Sequence, residues 1–176
     1  MELWDIYDIQ RNKTGRTIQR GEKLKDGEYH LAVQTCIFNA NGEMLIQQRQ
    51  PFKKDWSNMW DITSAGSAVA GENAQKAAER ELFEELGIRI DLCNIRPKLT
   101  INFGDGFCDC FLIEKEINLN TLTLQYEEVQ AVKWASKEEI FTMIDKREFI
   151  TYYKSFIEML FDLRNSDGSH SSEELK

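Results

Sequence analysis

Long apolar segments are what this chain most clearly lacks. No stretch approaches 18 consecutive apolar residues, which is about the length that a membrane-spanning helix needs. The first ten residues, MELWDIYDIQ, carry early acidic side chains where a secretory signal peptide would have a basic and then an apolar region. We therefore expect neither a membrane span nor a signal peptide.

Cysteine is scarce, and its spacing does not indicate a metal site. Cys36, Cys93, Cys108 and Cys110 show neither the spacing of zinc ligands nor the density of a small disulfide-stapled domain. Cys108 and Cys110 would share one face of a strand, because side chains alternate along strands. The pattern favours small core residues with reduced thiols, and hence a cytoplasmic protein.

Positive charge is also in deficit. Lys and Arg together number 22 against 30 Asp and Glu, which gives a formal net charge of −8. This balance argues against general nucleic-acid binding, which requires a basic surface. The 176 residues suit one domain with a substantial core. We predict that it covers 1–164, including an N-terminal hairpin within 1–20, and that the Ser- and Glu-rich tail 165–176 is disordered.

Turn residues and hydrophobic periodicity predict a chain of both strands and helices. Ser136 and Glu139 form a capping-box pattern at the start of one helix. The last helix has an apolar stripe of Tyr152, Phe156, Met159 and Leu160, which indicates a core or dimer contact. The predicted strands are two within 4–20, then 30–38, 44–49, 62–66, 88–92, 99–103, 108–113 and 129–134, and the predicted helices are 73–86, 137–146 and 151–163.

The helix over 73–86 carries an acidic cluster beside its apolar row. Glu81, Glu84 and Glu85 are spaced i, i+3 and i+4, so they lie within one turn on one side of the helix. Like charges at this spacing repel each other, and such a cluster invites a divalent cation. The row that faces the sheet consists of Ala74, Ala78, Leu82 and Leu86. The carboxylates should therefore lie at a groove edge, partly shielded from water, while Glu79 should be a solvated surface charge.

Residues 66–88 resemble the Nudix box, a 23-residue pattern of fixed residues at fixed spacing. The resemblance implies a Nudix hydrolase with an α/β fold, an α/β/α sandwich around a mixed central sheet. It also implies that Glu81, Glu84 and Glu85 are the metal and base positions, and that Glu72 and Arg80 tie the loop to the helix. The fixed positions of the pattern are filled by Gly66, Glu72, Arg80, Glu81, Leu82, Glu84, Glu85, Gly87 and Ile88.

The chemistry of these residue types agrees with that implication. Mg²⁺ prefers oxygen ligands and commonly binds through a few carboxylates and the phosphates of a substrate. A glutamate that is not committed to the cation can accept a proton from water as general base. We therefore expect Mg²⁺, with Mn²⁺ as a substitute, and a small-molecule diphosphate substrate linked to a nucleoside or another organic group.

The resemblance extends over roughly 3–165 to a Nudix branch similar to isopentenyl-diphosphate isomerase, which is the main alternative. That enzyme needs a catalytic cysteine where Ala65 stands, a histidine ligand where Ser67 stands, and a glutamate near 105–107, where this chain has none. The complete set of glutamates in 66–88 favours hydrolysis over isomerisation. A non-catalytic Nudix-fold binding module is a further alternative, although a damaged box would be expected in one.

The same branch suggests residues outside 66–88. Arg49 and Lys53 match positions that contact the diphosphate in that branch. An arginine can bind phosphate oxygens in a bidentate manner, and a lysine acts on them as a point charge. His30 matches a histidine ligand of the isomerase, but without the companion ligands a structural role at the strand end is favoured. Glu128 lies in a segment similar to one that can supply a metal ligand or base in the family. The alternative is that Glu128 is an ordinary charge on a surface loop. The sequence leaves open a homodimer formed through the N-terminal hairpin or the C-terminal helix.

Overall fold

The structure is a computed structural model that describes residues 2–166 and 168–170. By internal contacts the chain divides into two compact units. Unit 1 comprises Met1–Thr35 and Ser64–Phe111, and unit 2 comprises Cys36–Thr63 and Leu112–Lys176. No helix within the described ranges is long and apolar enough to cross a membrane.

Six strands precede the first helix, three more strands follow it, and two helices come last, with one short 3₁₀ turn at Leu119–Thr121. The strands are β1 Leu3–Tyr7, β2 Lys13–Gln19, β3 His30–Phe38, β4 Met44–Arg49, β5 Trp60–Asp61, β6 Ser64–Ser67, β7 Leu99–Phe103, β8 Gly106–Glu114 and β9 Val129–Ala135. The helices are α1 Ala74–Leu86, α2 Lys137–Asp145 and α3 Lys154–Leu163.

Unit 1 contains two antiparallel hairpins and the helix α1. The hairpins are β1–β2 and β7–β8, and β6 pairs antiparallel with the part of β3 that belongs to this unit. Helix α1 packs on β6. Its predicted apolar row is confirmed, since Ala74, Ala78, Leu82 and Leu86 are all buried. This packing sets the face of α1 that can carry polar chemistry.

Unit 2 is built around β4. Strands β5 and β9 flank it antiparallel, and Phe38 at the end of β3 pairs with Met44. A parallel bridge joins Trp60 to Phe149, so the strand pairing is mixed. Helices α2 and α3 pack on each other. Ser136 caps α2 as predicted, because the Glu139 N–H donates to Ser136 Oγ at 3.2 Å, whereas the Glu139 carboxylate accepts from Lys133 at 2.6 Å.

Two sequence-based assignments on and directly after α1 are wrong. Residues 88–92 do not form a strand. Instead, the Leu92 N–H donates to the Glu79 carboxylate of α1 at 2.8 Å, so a side chain takes the place of a partner strand. Glu79 also pairs with Lys76 at 2.7 Å and its side chain is largely covered, which corrects its interpretation as a solvated charge.

The last helix also differs from its prediction. It begins at Lys154, not near 151, so Tyr152 precedes it. Its buried face consists of Ile157, Leu160 and Phe161, whereas Met159 is exposed. The cysteine prediction is right for Cys36, Cys108 and Cys110, which are buried, and wrong for the exposed Cys93. The predicted domain limits stay a prediction, and most of the predicted disordered tail, 167 and 171–176, lies outside the described residues.

Candidate active site

The candidate site lies in unit 1, where β6 leads through a loop into α1. Gly66 pairs with Val33 in the β3–β6 ladder, which fixes the start of the loop. Asn73 caps the helix, because its side chain accepts from the Lys76 N–H at 2.9 Å and satisfies a first-turn donor. Gly87 ends the helix with a left-handed φ of 71°, a conformation that glycine adopts without a steric penalty.

Arg80 is the centre of the polar network. Its Nε donates to Glu72 Oε1 at 2.9 Å and its Nη2 donates to Glu72 Oε2 at 3.1 Å, a bidentate arrangement that fixes direction as well as distance. The Nη2 group also donates to the Ser67 carbonyl at 2.9 Å. The Nη1 group donates to Glu81 Oε1 at 2.9 Å and to Glu84 Oε2 at 3.0 Å. One guanidinium thus joins the strand end, the loop and two of the clustered carboxylates.

Glu72 is held from its own loop as well as by the helix. The Val69 N–H donates to Glu72 Oε2 at 3.0 Å, and the Glu72 N–H donates to the Val69 carbonyl at 3.0 Å. The loop therefore closes on itself around the carboxylate that receives Arg80. This geometry is the loop-to-helix tie that the resemblance implied for Glu72 and Arg80.

Gly66 makes room for the carboxylate of Glu81. A Cβ atom at Gly66 would lie 2.1 Å from both the carboxyl carbon and Oε1 of Glu81, far inside van der Waals contact. The Glu81 side chain is only 15% exposed. Glycine at 66 therefore permits a buried carboxylate to lie directly against the strand backbone.

The three clustered glutamates differ in their surroundings. Glu85 is buried and Glu84 is 49% exposed. Burial raises the pKa of Glu81, although Arg80 opposes this rise through its charge and its hydrogen bond. Burial acts against the charge on Arg80, yet its pKa is raised because Glu72 and Glu81 stabilise the guanidinium. In this network the Arg80 guanidinium therefore balances part of the negative charge of the carboxylates around it.

The chemistry of this donor set fits a hard dication. Glu81, Glu84 and Glu85 offer only oxygen ligands, which Mg²⁺ and Mn²⁺ accept, and Gly66 places no side chain over the Glu81 carboxylate. In the part of the chain that the structure describes, no three or more His, Cys, Asp or Glu side chains are grouped as a metal site. Here Arg80 supplies positive charge to Glu81 and Glu84, so a cation would replace or share that role.

Arg49, Lys53 and Glu128 lie in unit 2, apart in sequence from the box at residues 66–88. The Lys53 ammonium pairs with Glu128 at 2.6 Å. The Arg49 Nε donates to the Asp55 carbonyl at 3.4 Å. The two predicted phosphate contacts thus have protein partners of their own, and Glu128 neutralises Lys53.

His30 is packed among aromatic rings in unit 1. Its ring stacks on Trp4 with centroids 4.2 Å apart and meets Phe103 edge-on at 5.4 Å. Burial lowers the pKa of His30, while Asp105 opposes this shift. Nδ1 has no hydrogen-bond partner among the described residues. A neutral, stacked imidazole agrees with the structural role that was favoured for this strand end.

The N-terminal hairpin contributes contacts that the sequence did not indicate. Asp5 accepts a hydrogen bond from the Gly71 N–H at 2.8 Å, and Lys13 donates to the Glu72 carbonyl at 2.8 Å. Neither residue belongs to a recognisable motif. The partners are more than 55 positions away in sequence, and only the folded chain brings them together.

Comparison with known proteins identifies the family. A model described as the NUDIX domain matches residues 28–155. The chain is 48% identical to an uncharacterised Nudix hydrolase of Listeria monocytogenes, over 97% of this chain and 99% of that protein. It is 31% identical to the isopentenyl-diphosphate Delta-isomerase of Pectobacterium atrosepticum, over 66% of this chain and 64% of that protein.

The fold is also similar to a solved structure. A crystal structure of a Deinococcus radiodurans protein aligns with a TM-score of 0.71 and 21% identity, over 90% of this chain and 97% of that one. The predicted α/β fold class is thereby confirmed. Since the family model covers well over half of the chain and the Listeria relative spans nearly all of it, the chain belongs to the Nudix hydrolase family.

Proposed function

We propose that this chain is a metal-dependent hydrolase that cleaves a diphosphate bond in a nucleoside-diphosphate-linked or related organic diphosphate. The observation that carries the proposal is the Arg80 network, in which Glu72, Glu81 and Glu84 all bond to one guanidinium beside Gly66. Mg²⁺ is the proposed cation, Mn²⁺ is a substitute, and the cytoplasm is the proposed location.

The charged residues at fixed positions of the box have proposed roles. Glu81, Glu84 and Glu85 hold the cation, and the one least committed to it serves as general base. Glu72 and Arg80 fix the positions of those carboxylates. When bound, the cation neutralises phosphate charge, polarises the phosphorus–oxygen bond and lowers the pKa of a nucleophilic water.

The reaction balances with groups that this chain supplies. A glutamate takes one proton from water as the water oxygen forms a bond to phosphorus. The bond from that phosphorus to the bridging oxygen then breaks, and the leaving phosphate keeps the electron pair. The products are two monophosphates, at least one of which carries an organic group, and the glutamate returns its proton to the solvent.

Two residues of unit 2 are proposed to contact the diphosphate. Arg49 and Lys53 offer donors that suit phosphate oxygens. Lys53 is bonded to both oxygens of the Glu128 carboxylate, so it would exchange this partner for phosphate. Glu128 would then lose its partner Lys53, and its carboxylate could serve as the metal ligand or base that the sequence suggested.

Hydrolysis is favoured over isomerisation by the residues on β6. Ala65 and Ser67 occupy the positions of the isomerase's cysteine and histidine ligand, and neither side chain can take over that chemistry. The Ser67 carbonyl instead accepts from Arg80. An intact box also speaks against a binding module without turnover.

The test is a screen of nucleoside diphosphates and triphosphates, nucleotide sugars and isopentenyl diphosphate, with Mg²⁺ and detection of the phosphate-containing products by ³¹P NMR. We expect turnover of at least one compound by the wild type, and a loss of about 10³-fold or more in kcat for Glu81→Gln and for Glu85→Gln. Circular dichroism should show both variants folded.

Glu79→Gln is the matched control, because it removes one negative charge from the same helix while its amide oxygen can still accept from the Leu92 N–H. It should keep the wild-type rate. Full activity of both Glu81→Gln and Glu85→Gln with metal present would refute the proposed mechanism.

A further inference from the structure

The N-terminal hairpin β1–β2 lies before the part of the chain that the family model matches, which begins at residue 28. It nevertheless bonds to the loop 69–72 of the candidate site. The Ala70 N–H donates to the Leu3 carbonyl at 2.7 Å. The Gly71 N–H donates to Asp5 Oδ2 at 2.8 Å. Consecutive backbone groups of the loop are therefore held by one edge of β1.

Lys13 of β2 completes these contacts. Its Nζ lies 2.7 Å from Asp5 Oδ2 and donates to the Glu72 carbonyl at 2.8 Å. Partial burial acts to raise the pKa of Asp5, yet the pKa is lowered because Lys13 and the Gly71 N–H bond to the carboxylate. The pair is therefore charged, and charge-assisted hydrogen bonds of this kind are stronger than neutral ones.

Glu72 links the hairpin to the catalytic carboxylates. Its backbone carbonyl is held by Lys13, and its side chain is held by Arg80. Arg80 in turn bonds to Glu81 and Glu84. Gly71 has a φ of +93°, a conformation that glycine adopts without a steric penalty, so the loop can turn here while its N–H bonds to Asp5.

We propose that the N-terminal hairpin is a positioning element of the site, in which Asp5 and Lys13 fix the loop 69–72 and so orient Glu72 and Arg80 toward Glu81 and Glu84. This inference rests on the proposed function for its effect on turnover. It adds two positioning residues, Asp5 and Lys13, that lie outside the box and outside the matched family domain.

The test compares Lys13→Met and Asp5→Ala with the wild type. Lys13→Met keeps the apolar stem and removes the ammonium group. The matched control is Arg16→Gln on the same strand, because Arg16 pairs with Glu28 at 2.6 Å. Asp5→Asn keeps an acceptor for the Gly71 N–H while it removes the ion pair, so it covers the case in which Asp5→Ala does not fold.

The first readout is independent of metal and substrate. Hydrogen exchange of the Arg80 Nε–H, followed by NMR, reports the bond to Glu72. We expect exchange about tenfold faster in Lys13→Met and Asp5→Ala, since each loses a charge-assisted hydrogen bond. Arg16→Gln should leave this rate unchanged. Unchanged Arg80 exchange in all hairpin variants would overturn the inference.

The second readout connects the hairpin to the chemistry. Mn²⁺ binding, followed by electron paramagnetic resonance, should weaken about threefold to tenfold in Lys13→Met, and kcat should fall about tenfold with KM changed less than twofold. Equal losses in Arg16→Gln would overturn the inference, because they would reflect general damage to the hairpin.

The two proposals fail in different ways. Wild-type protein that neither binds Mn²⁺ nor hydrolyses any diphosphate would refute the proposed function, while the Arg80 exchange rates would still decide whether the hairpin positions this network. An active wild type with unchanged kcat and Mn²⁺ affinity in Lys13→Met and Asp5→Asn would refute the inference alone.

Discussion

At the scale of single residues, Arg80 and Gly66 determine how the acidic cluster can exist in a folded chain. Like charges on one helical turn repel each other, and burial adds the cost of removing a carboxylate from water. Arg80 offsets both costs with bonds to Glu72, Glu81 and Glu84. Gly66 supplies the space against the backbone.

Gly66→Ala should inactivate the enzyme without unfolding it. The new Cβ would meet the Glu81 carboxylate at 2.1 Å, so the carboxylate must move. A displacement of about 1 Å can cost about 10²-fold in rate, whereas such overpacking costs about 1–3 kcal/mol of stability. Steady-state kinetics and thermal unfolding test this. Gly104→Ala is the control, since a Cβ there meets nothing within 4 Å, and equal activity of both variants would contradict the steric explanation.

Asp61 is a buried acid outside the box, in unit 2. Burial raises its pKa to about 6, against hydrogen bonds from the Ile62 N–H and the Tyr152 hydroxyl that lower it. A raised pKa in the folded state means that the contribution of Asp61 to stability is complete below its unfolded pKa of about 4. That contribution is lost as the pH rises through about 6.

Asp61→Asn should therefore stabilise the protein above pH 7 and have little effect near pH 4. The shift from 3.8 to about 6 corresponds to about 3 kcal/mol at most. Asparagine can still accept the hydrogen bonds from Ile62 and Tyr152. Urea unfolding at pH 4.5 and pH 8 measures the difference. Asp145→Asn, which removes an exposed aspartate, should show no comparable gain, and destabilisation of Asp61→Asn at pH 8 would contradict the prediction.

At the scale of elements, helix α1 was the most predictable part of the chain. Its approximate limits and its apolar row were predicted from hydrophobic periodicity, and backbone geometry and burial confirm both. The segment 88–92 was not predictable, because Glu79 replaces a strand partner there. The start of α3 was misplaced because Tyr153 gives it no side-chain cap, so no sequence signal marked it.

Gly87→Ala should destabilise the chain with little effect on kcat. Gly87 has a left-handed φ of 71° and its N–H bonds to carbonyls of the last turn. A side chain costs about 1 kcal/mol in this conformation. Gly87→Asn is the matched control, because asparagine tolerates this region better. Chemical denaturation should rank wild type, Gly87→Asn and Gly87→Ala in falling stability, and equal stability of all three would contradict the assignment of the helix end.

At the scale of the whole molecule, residues 66–88 were enough to predict the family. The residues that hold the loop of this segment in place lie far from it in sequence. The spacing of Glu81, Glu84 and Glu85 predicted only that they share one side of α1. The Glu72–Arg80 tie, which the structure contains, was implied by the resemblance of residues 66–88 to the Nudix box. The contacts of Asp5 and Lys13 with Gly71 and Glu72 could not be predicted, since no local pattern encodes them. Arg49 and Lys53 stay predictions, and Lys53 has Glu128 as its partner in this structure.

Metal-dependent cleavage of a diphosphate bond is tested most directly by ³¹P NMR of the wild type with the screened compounds in ¹⁸O-enriched water, with and without Mg²⁺. We predict that the diphosphate resonances of at least one compound are replaced by monophosphate resonances that carry the ¹⁸O isotope shift. This should occur only with the cation and should be absent in Glu81→Gln. Intact diphosphates throughout the panel, or conversion of isopentenyl diphosphate to its isomer with the diphosphate unbroken, would contradict the assignment.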